Sequence, residues 1–441
     1  MTIPSAVLGL LEAKSMAGDN KPSWTVTVKR SGLPDLEVQY VESVLVERSL
    51  VMAGTLMLTL DNRAARYAPD AQAVGEEMLW PNSEIIVTQG YGDDQTTTFS
   101  GLIDRVVMSS YPQRMMVFAR DRWKLLLDQI ITDGDGDHVV SFEDETAEAI
   151  FAQLAEWAGW APGDITTEAS GITIDEKTWV YDRYGNAIEW LCELTGFEVV
   201  HDYDTGEIFF RYATDRQPEK EDDAVVLTGT DWADLEHSPI VSDSERVWSG
   251  AGQTGTEYTE GTDYEIDLAG GRIRRIDTGG IGSGTTVYVT YVYARWGFTE
   301  GADLITLDYI IDDDQLYQRV LVHGIGDDGD AIEGEEYYTA RNYYEVLPHK
   351  VLKVDVPAAK TQTLADDIAA RMALQIRTKA RMIRFAAVAI PWLEVGDCVR
   401  VVETGSTISE IYRVTSIAYR QGAAGFVMEC DAHYYGYAPL T

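Results

Sequence analysis

The sequence has few basic residues. Its 441 residues include 35 Lys and Arg against 73 Asp and Glu, which gives a formal net charge of −38 at pH 7. A surface this acidic repels nucleic acid and anionic lipid, so the composition argues against sequence-specific DNA binding. A soluble acidic surface without a specific role explains the same charge equally well.

Cysteine and long apolar runs are also scarce. Cys192, Cys398 and Cys430 lie far apart, each inside an apolar element, so we expect reduced core residues and neither disulfides nor a zinc site. No run of about twenty apolar residues occurs, which predicts no membrane-spanning helix. No basic region precedes the first apolar run, so we also expect no secretory signal peptide.

Motifs of catalysis and cofactor binding are missing as well. The six histidines are isolated, no glycine loop with a following Lys is present, and no Gly-x-Ser-x-Gly elbow occurs. We therefore expect no enzyme activity, no catalytic residue, no cofactor and no metal. Asp133, Asp135 and Asp137 imitate the first half of a calcium loop, but His138 replaces its glycine and Asp144 its bidentate Glu. A solvated turn is the competing interpretation.

The first part of the chain, residues 1–131, predicts an antiparallel β-barrel or sandwich. Alternating apolar residues recur in short runs separated by polar breaks, as in Leu56, Leu58 and Leu60. Residues 132–226 predict a small α+β domain with helices at 147–158 and 187–195 and a hairpin joining 197–201 to 207–212.

The next segments predict a β-rich second half. The polar run 214–223 reads as a linker, and residues 227–300 predict an all-β insert with strands near 260–266, 271–276 and 286–293. Residues 301–441 predict a second β-barrel domain with a long helix, 363–380. Leu364, Ile368, Met372 and Ile376 form the apolar stripe of this helix, and Thr363 is its expected N-cap.

Short sequence motifs occur in both β-rich parts. After the helix, an apolar strand, Pro391 and a tight turn lead into another strand. The motif residues are Phe99, Gly101, Asp104 and Asp121 in the first part, and Leu393, Val395, Gly396 and Asp397 in the last. These motifs resemble those of phage baseplate-hub proteins, the tail-hub family of myophages, siphophages, Mu-like phages and spike-bearing secretion systems. A third match, 307–324, is similar to the strand that opens the second barrel of this family.

The resemblance implies a fold and a role. The fold is mainly β, with two antiparallel, tail-tube-like barrels, the small α+β domain and the insert. Three copies form a homotrimer with a pseudo-sixfold ring, which joins the hexameric tail tube or distal tail protein to a spike or fibre protein, with the tape measure protein as a further partner. DNA only passes through, the chain does not enter a membrane, and it is found in the virion tail, or in the host cytoplasm during assembly.

Aromatic residues leave a second function open. Tyr434, Tyr435 and Tyr437 form a dense cluster and are candidates for a protein interface, although core packing accounts equally for such clusters. The alternative function is a carbohydrate-binding or carbohydrate-active virion surface protein. Its sugar platform would be built from Trp232, Trp248 and Trp296.

Overall fold

The computed structural model describes residues 21–437 with internal gaps. The gaps are 31–33, 51–52, 63–66, 68–78, 111–112, 204, 213–218, 242–243, 295, 301–302, 312–316, 327, 338–349, 380, 404–407 and 423–424.

The first β-rich region is an antiparallel sheet followed by a short helix. Alternate residues of its strands are buried, as the period-two pattern predicts; in one strand these are Leu56, Leu58 and Leu60. The strands lie in the order β2-β1-β5-β6-β7-β4-β3. The elements are β1 (Pro22–Val28), β2 (Leu36–Glu37), β3 (Val41–Ser49), β4 (Thr55–Asp61), β5 (Glu84–Tyr91), β6 (Asp94–Ser110), β7 (Gln113–Asp121) and α1 (Trp123–Asp128).

The small α+β part contains the two predicted helices and the predicted hairpin. Thr146 caps the first helix through its hydroxyl, and Gly196 ends the second with a φ of 69°. A two-stranded ribbon, β8 with β10, was not predicted. The elements are β8 (Val139–Thr146), α2 (Ala147–Trp157), β9 (Ile165–Thr167), β10 (Thr173–Val180), α3 (Tyr184–Thr195), β11 (Phe197–His201) and β12 (Ile208–Tyr212).

The insert contains two small sheets. The prediction of a linker at 214–223 is wrong where the structure describes it, because 219–223 belong to a strand that also crosses the predicted boundary at 226/227. Its apolar end, with Val225 and Leu227 buried, packs into the core of the insert. The strands are β13 (Glu219–Leu227), β14 (Ala233–Asp234), β15 (Arg246–Gly250), β16 (Thr254–Tyr258), β17 (Tyr264–Asp267), β18 (Arg272–Arg275) and β19 (Thr285–Val292).

The last part of the chain contributes strands to two separate sheets. The segment 307–324 does not form one opening strand of a barrel: its first strand joins the large sheet, whereas its second pairs with two neighbours in a separate three-stranded sheet beside the long helix. The elements are β20 (Trp296–Thr299), β21 (Leu304–Ile311), β22 (Arg319–Ile325), β23 (Ala331–Tyr337), β24 (Val351–Asp355), α4 (Gln362–Lys379), β25 (Arg381–Val388), β26 (Cys398–Glu403), β27 (Ile408–Gly422) and β28 (Gly425–Tyr437).

Helix α4 confirms the predicted long helix, with a shift at its start. The hydroxyl of Thr361, and not that of Thr363, accepts from the Leu364 backbone N at 3.2 Å. Ile368 is fully buried, and Leu364, Met372 and Ile376 pack partly buried against the core of the α+β part. No helix within the described part of the chain is long and apolar enough to cross a membrane.

The two β-rich regions join in one 13-stranded sheet. Residues 44–49 of β3 pair antiparallel with 416–421 of β27, and the path continues through β28 and β25 to β21. One hydrophobic core runs beneath both regions. The mainly β fold is therefore confirmed, and closure of each region into a barrel stays a prediction.

Candidate functional site: a buried joint between the two β regions

Asp121, at the end of β7, lies at the centre of a buried network. Its carboxylate accepts hydrogen bonds from the Gly54 N at 2.7 Å, the Tyr203 hydroxyl at 2.7 Å and the Trp123 N at 3.0 Å. These donors come from the β3–β4 turn, the segment after β11 and the start of α1. One side chain therefore ties the α+β part to the first β region.

Burial determines the protonation of this carboxyl group. Removal from water raises the pKa of Asp121 to about 7, and the hydrogen bonds from Tyr203, Gly54 and Trp123 oppose the rise only in part. At pH values below about 7 the group is therefore largely neutral in the folded chain.

Gly101 and Phe99 hold Asp121 in place. A Cβ on Gly101 would lie 2.3 Å from the Arg120 carbonyl oxygen and 2.7 Å from the Asp121 Cα, so only glycine allows β6 to approach β7 this closely. Phe99 is fully buried, with its ring centroid 6.5 Å from that of Tyr203. Both residues thus have structural roles in the first β region.

Asp104 is a surface counterpart of Asp121. It forms a two-point pair with Arg120, with a shortest contact of 2.7 Å, and lies 2.8 Å from the Lys124 ammonium group. Burial alone would raise the pKa of Asp104, but the hydrogen bonds from Arg120 and Lys124 outweigh it and lower the pKa. This aspartate is therefore ionised and partly solvated.

The second motif forms a buried turn in the second β region. Gly396 has a φ of 96°, as its place in the turn predicts, and its N donates to the Val414 oxygen at 2.7 Å. The Asp397 carboxylate accepts from the Trp296 indole N–H at 3.1 Å and from the Glu394 N at 3.0 Å. Leu393 and Val395 are buried beside them.

Arg48 connects the two motifs. Its guanidinium carbon lies 4.3 Å from the ring centroid of Tyr203 and 5.9 Å from that of Tyr419. Tyr203 donates to Asp121, and the Tyr419 hydroxyl is 2.6 Å from the Leu393 carbonyl oxygen. The motifs, about 270 residues apart in the chain, therefore meet in one buried joint.

The sequence alone does not reveal the partners in this joint. Arg48 is 2% exposed and donates to the carbonyl oxygens of Thr97 and Thr98, both at 2.7 Å. No local pattern distinguishes a buried arginine in a strand from an exposed one. It is enclosed by contacts between distant segments: β6 supplies Thr97 and Thr98, the α+β part supplies Tyr203, and β27 supplies Tyr419.

The predicted tyrosine interface is partly packed within the chain. The Tyr434 ring makes an edge contact with Tyr412, at 6.0 Å between centroids, and lies 4.4 Å from the Arg381 guanidinium. Tyr435 packs, partly buried, against a small cluster that includes Cys398 and Ile411. The side chain of Tyr437 lies outside the described residues. An interface here stays a prediction.

The three tryptophans do not form one sugar platform. Trp296 is 1% exposed and is hydrogen-bonded to Asp397 inside the large sheet. Trp232 is 38% exposed and stacks with Arg274, and Trp248 lies in β15. Because a sugar platform needs exposed rings, the burial of Trp296 contradicts its proposed part in such a site.

The loop that contains Asp133, Asp135 and Asp137 forms hydrogen bonds between a carboxylate and its own backbone. The Asp133 carboxylate accepts from the backbone N of Asp135 at 3.0 Å and of Asp137 at 2.8 Å. Over the described ranges, no three His, Cys, Asp or Glu side chains are grouped to hold a metal ion.

Burial raises the pKa of the Cys398 thiol to about 12, in keeping with an inert core cysteine.

The Trp296–Asp397 contact gives a first prediction. Replacing Trp296 with Phe is expected to lower the free energy of unfolding by about 2 kcal/mol, because the Asp397 carboxylate loses a buried donor and the smaller ring leaves a gap. Chemical denaturation followed by circular dichroism measures the change. Trp232→Phe, at an exposed ring, should change stability by less than about 0.5 kcal/mol; equal losses in the two variants would count against the assigned role of the bond.

Comparison with known proteins identifies the fold. No protein-family model and no curated protein matches the chain. Among solved structures, the prophage MuSo2 tail protein of Shewanella oneidensis is 12% identical with a TM-score of 0.54, over 92% of this chain and 97% of that one. A tail protein of Neisseria meningitidis is 12% identical with a TM-score of 0.57, over 95% and 98% of the two chains.

A third neighbour extends the same likeness. Prophage tail protein gp18 of Listeria monocytogenes is 9% identical with a TM-score of 0.50, over 94% of this chain and 95% of that one. All three alignments span nearly the full length of both chains. The chain therefore has the fold of these phage tail proteins, as the motif resemblance predicts.

Proposed function

We propose that this chain is a structural hub of a phage tail or baseplate, in which three copies form a pseudo-sixfold ring. The ring joins the hexameric tail tube or distal tail protein to a threefold spike or fibre, with the tape measure protein as a further contact. The proposal rests on the full-length fold likeness to phage tail proteins, and it requires no catalytic residue.

The single observation that carries the ring is the joint between β3 and β27. It places two β-rich units of one chain side by side, edge to edge, in a continuous sheet. Each unit buries an aspartate that accepts from an aromatic side chain and from a backbone N–H: Asp121 in the first, Asp397 in the second. Threefold repetition of such a chain would give six related units around one axis.

The acidic composition fits a passage for DNA. With a formal charge of −38, the chain gives a DNA strand few cationic groups to bind. Because binding to phosphates depends on Lys and Arg, DNA would pass such a ring without being retained. The proposed location is the virion tail, after assembly in the host cytoplasm.

A mass measurement tests the ring. Light scattering of the full chain is expected to give three times the mass of one chain, or, after addition of the tail-tube protein, the mass of a complex that contains three copies. A monomer under both conditions would contradict the proposal.

A variant at the sheet edge tests how the copies meet. Within the described part of the chain, β21 is the last strand on its side of the large sheet, and its Ile305 is 58% exposed. Ile305→Lys is expected to yield monomers with unchanged circular dichroism, because a charge on an edge strand blocks strand pairing. Val226→Lys, at a site 54% exposed in the insert, is the matched control and should leave the trimer intact.

A further inference from the structure

The β8–β10 ribbon of the α+β part has one buried face and one open face. Val140 and Trp179 are each 4% exposed on the inner face. Phe142, beside them, contacts the rings of Trp157 and Trp179 at centroid distances of 5.8 and 5.9 Å. Within the described ranges, β8 and β10 pair only with each other, as a two-stranded sheet.

One end of the outer face is apolar. Val139 and Val180 lie opposite each other in the register and are 54% and 58% exposed. Tyr181, 66% exposed, follows directly, and Ile130, 43% exposed, lies in the bridge that extends the ribbon to Arg183. Adjacent large apolar side chains in water are a common sign of an interaction surface.

The other end of the same face brings two like charges together. Glu143 and Glu176 are direct cross-strand partners, and both are exposed. Between them and the valines, the hydroxyls of Ser141 and Thr178 are 2.8 Å apart, which shows that these pairs share one face. Opposed carboxylates destabilise a strand pair, so this arrangement is unfavourable until a cation lies between them.

The charged residues around the ribbon favour a basic partner. Acidic residues around the ribbon greatly outnumber basic ones, and Asp175 is already paired with Lys360 at 2.6 Å. The other acidic residues are Asp133, Asp135, Asp137, Asp144, Glu145 and Asp182. Nucleic acid and anionic lipid are repelled by such a surface, whereas a basic protein segment is attracted.

We propose that the outer face of the β8–β10 ribbon binds an extended segment of a partner protein. The segment places a basic side chain between Glu143 and Glu176 and an apolar side chain over Val139 and Val180. The two pairs are four residues apart along each strand, roughly 13 Å at the usual rise. The partner therefore carries its basic and apolar residues four positions apart, on one face of an extended chain. The inference does not depend on how many copies form the ring.

Two synthetic peptides test the charge requirement. Each is extended and Thr-rich, with Val four positions from either Arg or Glu, and each is labelled for fluorescence anisotropy with the full chain. The Arg peptide is expected to bind at least about tenfold more tightly than the Glu peptide, with a preference that weakens at high salt. Equal binding, or no binding of the Arg peptide, overturns the proposal.

Variants of the ribbon locate the binding surface. Glu143→Gln with Glu176→Gln should reduce the preference for Arg severalfold, and Val139→Ser with Val180→Ser should weaken the binding of both peptides. The Gln pair should unfold at the same or a higher temperature than the natural chain, because a repulsion has been removed. Undiminished binding of the Arg peptide by the folded Gln variant would place its site elsewhere.

Discussion

Replacing Asp121 with alanine is expected to lower the free energy of unfolding by about 3 kcal/mol at pH 7. The substitution leaves the Gly54 N, the Trp123 N and the Tyr203 hydroxyl without their buried acceptor. Each unpaired donor costs about 1–3 kcal/mol, and the relief from burying a carboxyl group offsets part of the total. Denaturant unfolding followed by circular dichroism gives the value.

Asp104→Ala is the matched control for this substitution. Asp104 lies in the same hairpin, but its side chain is 25% exposed, and its partners keep other acceptors: Arg120 retains Asp128, and the buried Lys124 retains the Asn82 side chain at 2.8 Å. Its loss should cost less than that of Asp121, about 1 kcal/mol, because the carboxylate is partly exposed and both cations keep a partner. If both alanine variants lost the same stability, the buried network would not be what distinguishes Asp121.

Local structure in this chain could largely be predicted from the sequence. The stripe of Leu364, Ile368, Met372 and Ile376 placed α4 to within one residue at each end. Gly196 and Gly396 marked a helix end and a turn, because both positions need a positive φ. These features depend on residues close together in the chain, so periodicity and turn chemistry identify them.

Pairing between distant segments could not be predicted in the same way. The polar start of β13 reads as a linker because its partner strand, β19, lies more than sixty residues away. Likewise, alternation in β21 and β22 indicates two strands but does not say that they belong to different sheets. Registers between distant strands follow from tertiary packing, which local propensity does not encode.

The sequence predicts the hydrogen-bond acceptors of the candidate site but not their donors. The motifs point to Asp121 and Asp397, but nothing in the sequence links Tyr203, Trp296 and Arg48 to them. The prediction that Trp296 belongs to a sugar platform is wrong, because a tryptophan in a β-rich insert has the same sequence pattern whether its ring is buried or exposed. A motif thus identified the acceptors, and only the fold supplied their donors.

The stability of the chain is expected to fall between about pH 4 and pH 7 through Asp121. Its pKa is about 7 in the folded chain, raised by burial, against a usual value of 3.8. Between these values the folded state binds more protons than the unfolded state, so the free energy of unfolding decreases as pH rises. The decrease is absent below the unfolded pKa, is complete above the folded pKa, and amounts to roughly 4 kcal/mol, at about 1.4 kcal/mol for each pKa unit.

Asp121→Asn separates this effect from the titration of all other groups. Asparagine keeps the size of the side chain but cannot ionise, so the difference in unfolding free energy between the natural chain and the variant should change by several kcal/mol across this range. Asp104 contributes equally to both chains, and because its pKa is lowered its stabilisation is lost only below about pH 4. A pH-independent difference between the two proteins would mean that the carboxylate is already ionised in the fold. In that case its three hydrogen-bond donors, together with the nearby Arg120, outweigh the cost of burial.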